Sequence, residues 1–177
     1  DICLLQEVDV NSGRSFGIDQ MEYYRHGLSL NAAYAPNYRC DFVPFPLPPI
    51  GRVNSGLYTV SEGYAIDRAE RIALPCPFKW PVSTANLKRC LLASYMPIEG
   101  SDKELVLVNL HLEAYDDGAG KLLQRMQLEQ FLVTEYENGN YVIAGGDFNS
   151  SFEGSHEIYP IKTPELWLPG ALPDNMM

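Results

Sequence analysis

The stretch of sequence that decides the fold is YVIAGGDFNS, residues 141–150. It begins with apolar and β-branched residues, which predict a strand buried on both faces. Two glycines follow, and they let the backbone turn sharply or let another group approach closely. Asp147 and Asn149 come next, so their side chains point to the same side if the strand continues. An ordinary turn would also explain these residues, because Gly, Asp and Asn are common in turns.

The overall composition is that of a globular protein. The chain has 177 residues, a length typical of one domain, and it contains no run of about 18 apolar residues that would predict a membrane span. Its net charge of −10 argues against a broad basic surface for nucleic acid. It does not exclude a nucleic-acid enzyme whose site charge comes from a bound cation. Neither the location in the cell nor the oligomeric state follows from the sequence.

Strand and helix patterns follow each other along the chain and predict an α+β domain, in which two sheets pack together and helices cover them. A β-hairpin is expected from residues 55–61 and 64–74, joined at Glu62-Gly63. The other predicted strands are residues 2–5, 38–45, 89–96 and 105–112.

Two segments have the spacing of helices. Asp19 is a candidate N-cap for a helix from residue 21 to about 32. The clearer helix covers residues 118–138, where Leu122, Met126 and Val133 fall on one stripe. This stripe predicts the face of the helix that packs against the core.

Three apolar runs each end in side chains that can bind a metal or transfer a proton. Glu7 ends the first run, His111 ends the second, and Asp147 and Asn149 end the third. If the strands share a rim, these groups meet there, with hard oxygen ligands for Mg²⁺, Mn²⁺ or Ca²⁺ beside an imidazole. Asn109 lies two positions before His111 and faces the same side of its strand.

The ordered set of motifs resembles the endonuclease/exonuclease/phosphatase superfamily, the DNase I-like metal-dependent phosphoesterases. The motifs are Gln6-Glu7, then Asn109-x-His111, then Gly146-Asp147-Phe148-Asn149. The resemblance implies a DNase I-like two-sheet sandwich flanked by helices in four layers. It also implies phosphoester hydrolysis by metal-activated water, without a covalent intermediate.

The resemblance assigns roles to individual residues. Glu7 would be the principal ligand of Mg²⁺, or of Mn²⁺ or Ca²⁺. Asp147 would orient or deprotonate the attacking water, and Asn149 would hold the phosphate. His111 would contact the phosphate or protonate the leaving group. The alternative for Glu7 is a solvated glutamate after a strand, and for Asp147 and Asn149 it is an ordinary turn. For His111 it is a core histidine satisfied by a neighbour.

Four more residues are expected to contact the substrate or to support the site: Asn109, Arg89, Arg125 and Asn54. Asn109 is either a site residue or a supporting strut. For Arg89 and Arg125, an ordinary surface salt bridge is the alternative. Asn54 stands where nuclease members often have an acidic partner for the histidine.

The family's first strand and its closing Ser-Asp-His motif are missing from residues 1–177. We therefore expect a single truncated domain, and whether this segment alone is active stays open. The favoured substrate is a small or lipid-like phosphodiester or phosphomonoester. A nuclease of the same family is the alternative, because a nucleic acid is possible but not favoured. A non-catalytic binding domain that retains the fold is the third interpretation.

Overall fold

The computed structural model describes residues 1–25, 30–44, 46–115, 118–152, 154–158, 163 and 168–171. The strands in this part are β1 (Ile2–Asp9), β2 (Leu30–Val43), β3 (Gly51–Glu62), β4 (Arg68–Ala73), β5 (Cys90–Pro97), β6 (Glu104–His111) and β7 (Tyr141–Asp147). The α-helices are α1 (Gln20–Arg25), α2 (Ala119–Glu137) and α3 (Ser155–Ile158), with 3₁₀ turns at Gly13–Ser15 and Val82–Ala85. No helix in these ranges is long and apolar enough to cross a membrane.

The strands form two sheets. The first sheet has the order β1-β3-β2 and is antiparallel. The second has the order β4-β5-β6-β7, with β6 and β7 parallel and the other pairs antiparallel. Strand β6 therefore runs in the same direction as β7, and the two strands end at the same edge of the sheet. This arrangement sets the position of the candidate site.

Three apolar clusters separate four layers of structure. The cluster between α1 and the first sheet includes Met21 and Tyr58. Between the sheets, Leu57 of β3 packs with Leu92 of β5. On the other side of the second sheet, Leu128 of α2 packs against β5 and β6. The predicted sandwich flanked by helices is confirmed.

The predicted hairpin is wrong. Strands β3 and β4 lie in different sheets, and residues 63–67 connect them. Strand β4 pairs with β5 instead, so Ile72 lies opposite Leu91. The short turn at Glu62-Gly63 looked like a hairpin turn because sequence spacing does not show whether a chain stays in one sheet.

The first predicted helix is too long. Helix α1 ends at Arg25, residues 26–29 lie outside the described ranges, and β2 begins at Leu30. Residues up to Ala32 were expected to be helical, yet Ala32 pairs with Val60 in the first sheet. Tertiary pairing with β3 outweighs the weak helical pattern in this segment.

The inward face of α2 is also different from the prediction. Leu122, Met126 and Val133 are exposed, at 54%, 56% and 45%. The buried residues include Gln124 and Leu128, on another stripe of the helix. Gln124 is buried because it donates to Pro75 O and accepts from the Glu113 amide. A periodicity of apolar residues could not identify a face that contains a buried polar side chain.

Strand β7 is buried on one face only, contrary to the prediction. Val142 and Ala144 pack against the core that α2 covers, whereas Tyr141 and Ile143 are exposed. The strand is the last one of the second sheet among the residues described. Its apolar run therefore indicates a strand correctly, but not how many of its faces are covered.

Candidate active site

His111 and Asp147 lie side by side at one end of the second sheet, which is called the rim below. They are the last residues of β6 and β7, and the parallel register pairs them directly. The Nε2 atom of His111 lies 3.5 Å from the Oδ2 atom of Asp147. The histidine side chain is 6% exposed and the aspartate side chain 49%. The pair therefore presents an accessible carboxylate next to a sheltered imidazole.

The surroundings of His111 favour a neutral imidazole. Burial lowers the pKa of His111, and the positive charge of Arg89 lowers it further. The carboxylates of Asp147, Glu7 and Glu113 act in the opposite direction, so these charged groups all lie within electrostatic range of the ring. A neutral imidazole has one donor and one acceptor nitrogen, which is the state that transfers protons near neutral pH.

Glu7 reaches this region through an irregularity in β1. The register between β1 and β3 shifts between Leu5 and Val8, and Glu7 has a φ of 55°. Such a backbone conformation is uncommon for a residue other than glycine, and it is often found at functional positions. The Glu7 side chain is 57% exposed, and its Oε2 lies 3.4 Å from Nη1 of Arg14. The irregularity therefore places an exposed carboxylate at the rim.

Asn109 connects the two sheets below this rim and is fully buried. Its Nδ2 donates to Leu5 O at 3.1 Å and to Tyr58 O at 3.2 Å, while its Oδ1 accepts from Gln6 Nε2 at 2.8 Å. Both N–H groups of the amide are thus used within the protein. Of the two roles left open, this geometry favours the supporting strut.

Asn149 stabilises the turn that follows β7. Its backbone N–H donates to Asp147 Oδ1 at 2.8 Å, and its Nδ2 donates to Leu112 O at 2.8 Å. Asn149 has a φ of 47°, and Gly146 before it has a φ of 139°. A Cβ at Gly146 would overlap the carbonyl oxygen of Leu110, so this position at the end of β7, just before the turn, requires glycine. The glycine-rich sequence therefore builds a turn that holds Asp147 and Asn149 together.

A buried ion pair lies next to His111. Nε of Arg89 is 3.6 Å from Oε2 of Glu113, and both side chains are at least 96% buried. Burial lowers the pKa of Arg89, while the charges of Glu113, Glu7 and Asp147 raise it. Glu113 was not among the residues predicted for the site, although it follows His111 by two positions and continues the alternation that begins at Asn109.

Arg125 and Asn54 make contacts of two different kinds, Arg125 through its side chain and Asn54 through its backbone. Arg125 is buried on α2, and its Nη2 donates to Ser150 Oγ at 2.6 Å, just beyond the Asp147–Asn149 turn. The Asn54 backbone is held by Ser12, whose Oγ both donates to Asn54 O and accepts from Asn54 N. This anchor fixes the loop after β1 to β3, and it uses the backbone of Asn54 and not its side chain.

The oxygen donors at this rim suit a loosely coordinated Mg²⁺ ion. Within the described ranges, no group of three or more His, Cys, Asp or Glu side chains encloses a metal position. A closed site of the zinc type needs about four such ligands. Mg²⁺ is commonly bound by one or two carboxylates, with water and substrate phosphate completing the shell. The exposed carboxylate of Glu7 fits this second kind of site.

Three solved structures are similar to the chain over most of its length. The human Nocturnin catalytic domain with bound sulfate is 20% identical, with a TM-score of 0.53, and the match covers 90% of this chain and 54% of that chain. ANGEL2, a 2′,3′-cyclic phosphatase in complex with adenosine-2′,3′-vanadate, is 18% identical, with a TM-score of 0.59 and coverage of 88% and 41%. Truncated TDP2 from Caenorhabditis elegans is 17% identical, with a TM-score of 0.53 and coverage of 93% and 54%.

The chain shares its fold with these three proteins, and this is the DNase I-like two-sheet sandwich flanked by helices that was predicted from the sequence. It spans about half the length of the solved chains that it matches, between 41% and 54%. No family model matches the chain, and no curated protein matches it in sequence. At this level of identity the similarity shows the fold.

Proposed function

We propose that the chain is part of a divalent-metal-dependent hydrolase in which water attacks a phosphodiester or a phosphomonoester directly. The observation that supports this most strongly is the pairing of His111 with Asp147, 3.5 Å apart at the rim where the charge of Glu7 also acts. In this proposal a candidate metal ligand, a base and an imidazole would act together at this rim.

Glu7 is the residue that would hold Mg²⁺, Mn²⁺ or Ca²⁺. When bound, the ion would neutralise charge on the phosphate and favour ionisation of a nearby water. Glu7 suits this role because its carboxylate is more than half exposed and because its contact with Arg14, at 3.4 Å, is long and easily exchanged.

Asp147 and His111 would move the protons. The half-exposed carboxylate of Asp147 would orient the attacking water and accept its proton. His111 would donate a hydrogen bond to a phosphate oxygen, which the neutral imidazole favoured by burial can do, or it would protonate the leaving group, which requires the imidazolium form. Asn149 uses one N–H of its amide on Leu112 O, and its second N–H would be available to a phosphate oxygen.

Arg89, Asn109 and Arg125 would support these groups from below. Arg89 adds a buried positive charge close to His111 and Asp147, which compensates part of the negative charge at the rim. Asn109 holds β6 to the first sheet, and Arg125 holds the segment after Asn149 through Ser150. For Asn54, the contacts support an anchoring role of its backbone.

A small or lipid-like phosphoester is the favoured substrate. The net charge of −10 gives no broad attraction to a long polyanion. A nuclease remains the second candidate, and one observation favours it: ANGEL2, which shares the fold, is bound to adenosine-2′,3′-vanadate. A nucleotide can therefore occupy a protein of this fold.

The proposal is tested by assaying the full-length protein with and without Mg²⁺. The substrates are bis-p-nitrophenyl phosphate, p-nitrophenyl phosphate and plasmid DNA. We expect Mg²⁺-dependent release of p-nitrophenol, and we expect Asp147→Asn to lower kcat/KM by about 100-fold or more. Asn keeps the shape of the side chain and its contact with the Asn149 amide.

The matched control is Asp102→Asn, because the Asp102 side chain is 86% exposed and lies at the opposite end of β6. It should keep the wild-type rate. Turnover of plasmid DNA without turnover of the nitrophenyl esters would favour the nuclease. No turnover of any of the three, in the presence of Mg²⁺, would favour the non-catalytic interpretation.

A further inference from the structure

Arg14 is held beside Glu7 by a buried carboxylate. Its Nε donates to Asp9 Oδ2 at 2.8 Å, and its Nη2 donates to Asp9 Oδ1 at 3.0 Å. Nη2 also donates to Ser55 Oγ at 3.2 Å. The Asp9 side chain is 5% exposed, so this two-point contact lies mostly out of water. Three of the five guanidinium N–H groups are therefore used on Asp9 and Ser55, and of the two on Nη1 one makes the long contact with Glu7 at 3.4 Å.

The loop that carries Arg14 is firmly attached to the first sheet. Ser12 is fully buried and bonds to both the N–H and the carbonyl of Asn54. Gly13 packs against the carbonyl of Ile50 so closely that a Cβ there would lie 2.5 Å from the oxygen. Gly17 N donates back to Ser12 O at 2.9 Å. Arg14 is thus presented from a fixed support, which lowers the entropy cost of using it to bind a ligand.

Arg14 differs from Arg89 and Arg125 in its accessibility. Arg89 and Arg125 are 4% and 8% exposed, whereas the Arg14 side chain is 37% exposed. The hydrogen bond to Asp9 raises the pKa of Arg14, so its charge persists at every working pH. Of these three arginines, Arg14 is therefore the one that a substrate can touch directly.

We propose that Arg14 is a substrate-binding residue, whose Nη1 binds a phosphate oxygen next to Glu7. The proposal rests on the phosphoester hydrolase function proposed above. Nη1 already points at a carboxylate oxygen, Oε2 of Glu7, at 3.4 Å. A phosphate oxygen is an anionic acceptor of the same kind, and arginine is well suited to bind it.

The same geometry predicts an exchange of partners. When Glu7 turns toward a cation, its long contact with Nη1 is given up, while the fork on Asp9 stays in place. Nη1 is then left at the rim with its charge and direction unchanged. The pair of Arg14 with Asp9 is neutral overall, so it adds a directed donor without strongly repelling the cation.

The test measures the binding of inorganic phosphate to the full-length protein by calorimetry at saturating Mg²⁺. Arg14→Met alone would leave Asp9 as an unpaired buried charge and could unfold the protein. The test variant is therefore the double substitution Asp9→Asn/Arg14→Met, compared with Asp9→Asn, which keeps the guanidinium. Arg68→Met is the matched control, since Arg68 is on β4 and pairs with Glu104.

We expect the double variant to raise the Kd for phosphate about tenfold or more relative to Asp9→Asn, because a charged hydrogen bond is lost. The Kd of the double variant for Mg²⁺, measured without phosphate, should stay within about threefold of that of Asp9→Asn, and Arg68→Met should leave both Kd values unchanged. An unchanged Kd for phosphate would overturn the proposal. An equal loss of Mg²⁺ affinity would also overturn it, because Arg14 would then only position Glu7.

The outcome is separable from that of the hydrolase assay. A wild-type protein that binds phosphate through Arg14 and hydrolyses no ester would refute the hydrolase and keep the binding residue. If the wild type hydrolyses esters while the double variant binds phosphate as tightly as Asp9→Asn does, the hydrolase function stands and the role of Arg14 is refuted. Wild-type protein that binds no phosphate at millimolar concentration would refute the role of Arg14.

Discussion

Replacing Asn109 with alanine should destabilise the protein through the contact between its two sheets. The side chain makes three hydrogen bonds, to Leu5 O, Tyr58 O and Gln6 Nε2. Each such bond contributes about 1 kcal/mol to stability, so the substitution should cost about 3 kcal/mol. For a domain of this size, that loss lowers Tm by about 6–12 °C.

Thermal unfolding followed by circular dichroism, with urea unfolding as a second measure, provides the assay. Asn138→Ala is the matched control, because Asn138 lies exposed at the end of α2 and should change stability by less than about 0.5 kcal/mol. If Asn109→Ala unfolds within about 2 °C of the wild type but loses activity, Asn109 acts on the substrate and is not a strut.

Three further predictions concern the end of β7 and the core between the sheets. Gly146→Ala should lower Tm more than Gly100→Ala. Both residues have a positive φ, but of the two only Gly146 would bring a new Cβ into overlap with another residue, at Leu110 O. Equal Tm values for the two variants would contradict the requirement for glycine at position 146. Burial raises the pKa of Cys90 from 9.0 to about 11. Because the thiol of the unfolded chain ionises at a lower pH than the thiol of the folded protein, the free energy of unfolding should fall as the pH rises from about 9 to 11. Cys90→Ala should remove this part of the loss. At pH 8, Ellman's reagent should react with the exposed Cys76 and not with Cys90 in the folded protein, and rapid labelling of Cys90 would contradict its burial.

The fold class could be predicted because it depends on short sequence motifs and on the order in which they occur along the chain. Apolar runs that lead to Glu7, His111 and Asp147 follow one another in the sequence, and the parallel pairing of β6 with β7 brings His111 and Asp147 together. The proximity of Glu7 could not be predicted in the same way. It depends on the irregularity between Leu5 and Val8, and single-residue irregularities leave no periodic signal in a sequence.

The errors in the fold arise from contacts between distant parts of the chain. Helix α2 has apolar residues on more than one side, and the buried Gln124, which bonds to Glu113 and Pro75, decides which side faces the sheet. The Arg14–Asp9 fork was missed for a similar reason. Residues 11–15 are polar or glycine, a composition common in loops, and only the structure shows that Arg14 is fixed on a buried carboxylate.

The sequence also could not show which charged groups act on the pKa of His111, or how strongly. Arg89 was predicted to support the site, with a surface salt bridge as the alternative; it is buried against Glu113, and its charge lowers the pKa of His111. Burial and charge act together there, and both depend on which strands lie side by side. The sequence alternation from Asn109 through His111 to Glu113 was present, but its meaning depended on this packing.

Calorimetric titration of the full-length protein with Mg²⁺ is the most direct test of the proposed site. We predict that the wild type binds Mg²⁺ and that Glu7→Gln, which keeps the size of the side chain and removes its charge, weakens binding at least about tenfold. Glu70→Gln, at an exposed position on β4, should bind like the wild type. Equal Mg²⁺ affinity in the wild type and in Glu7→Gln would contradict a metal site at this rim.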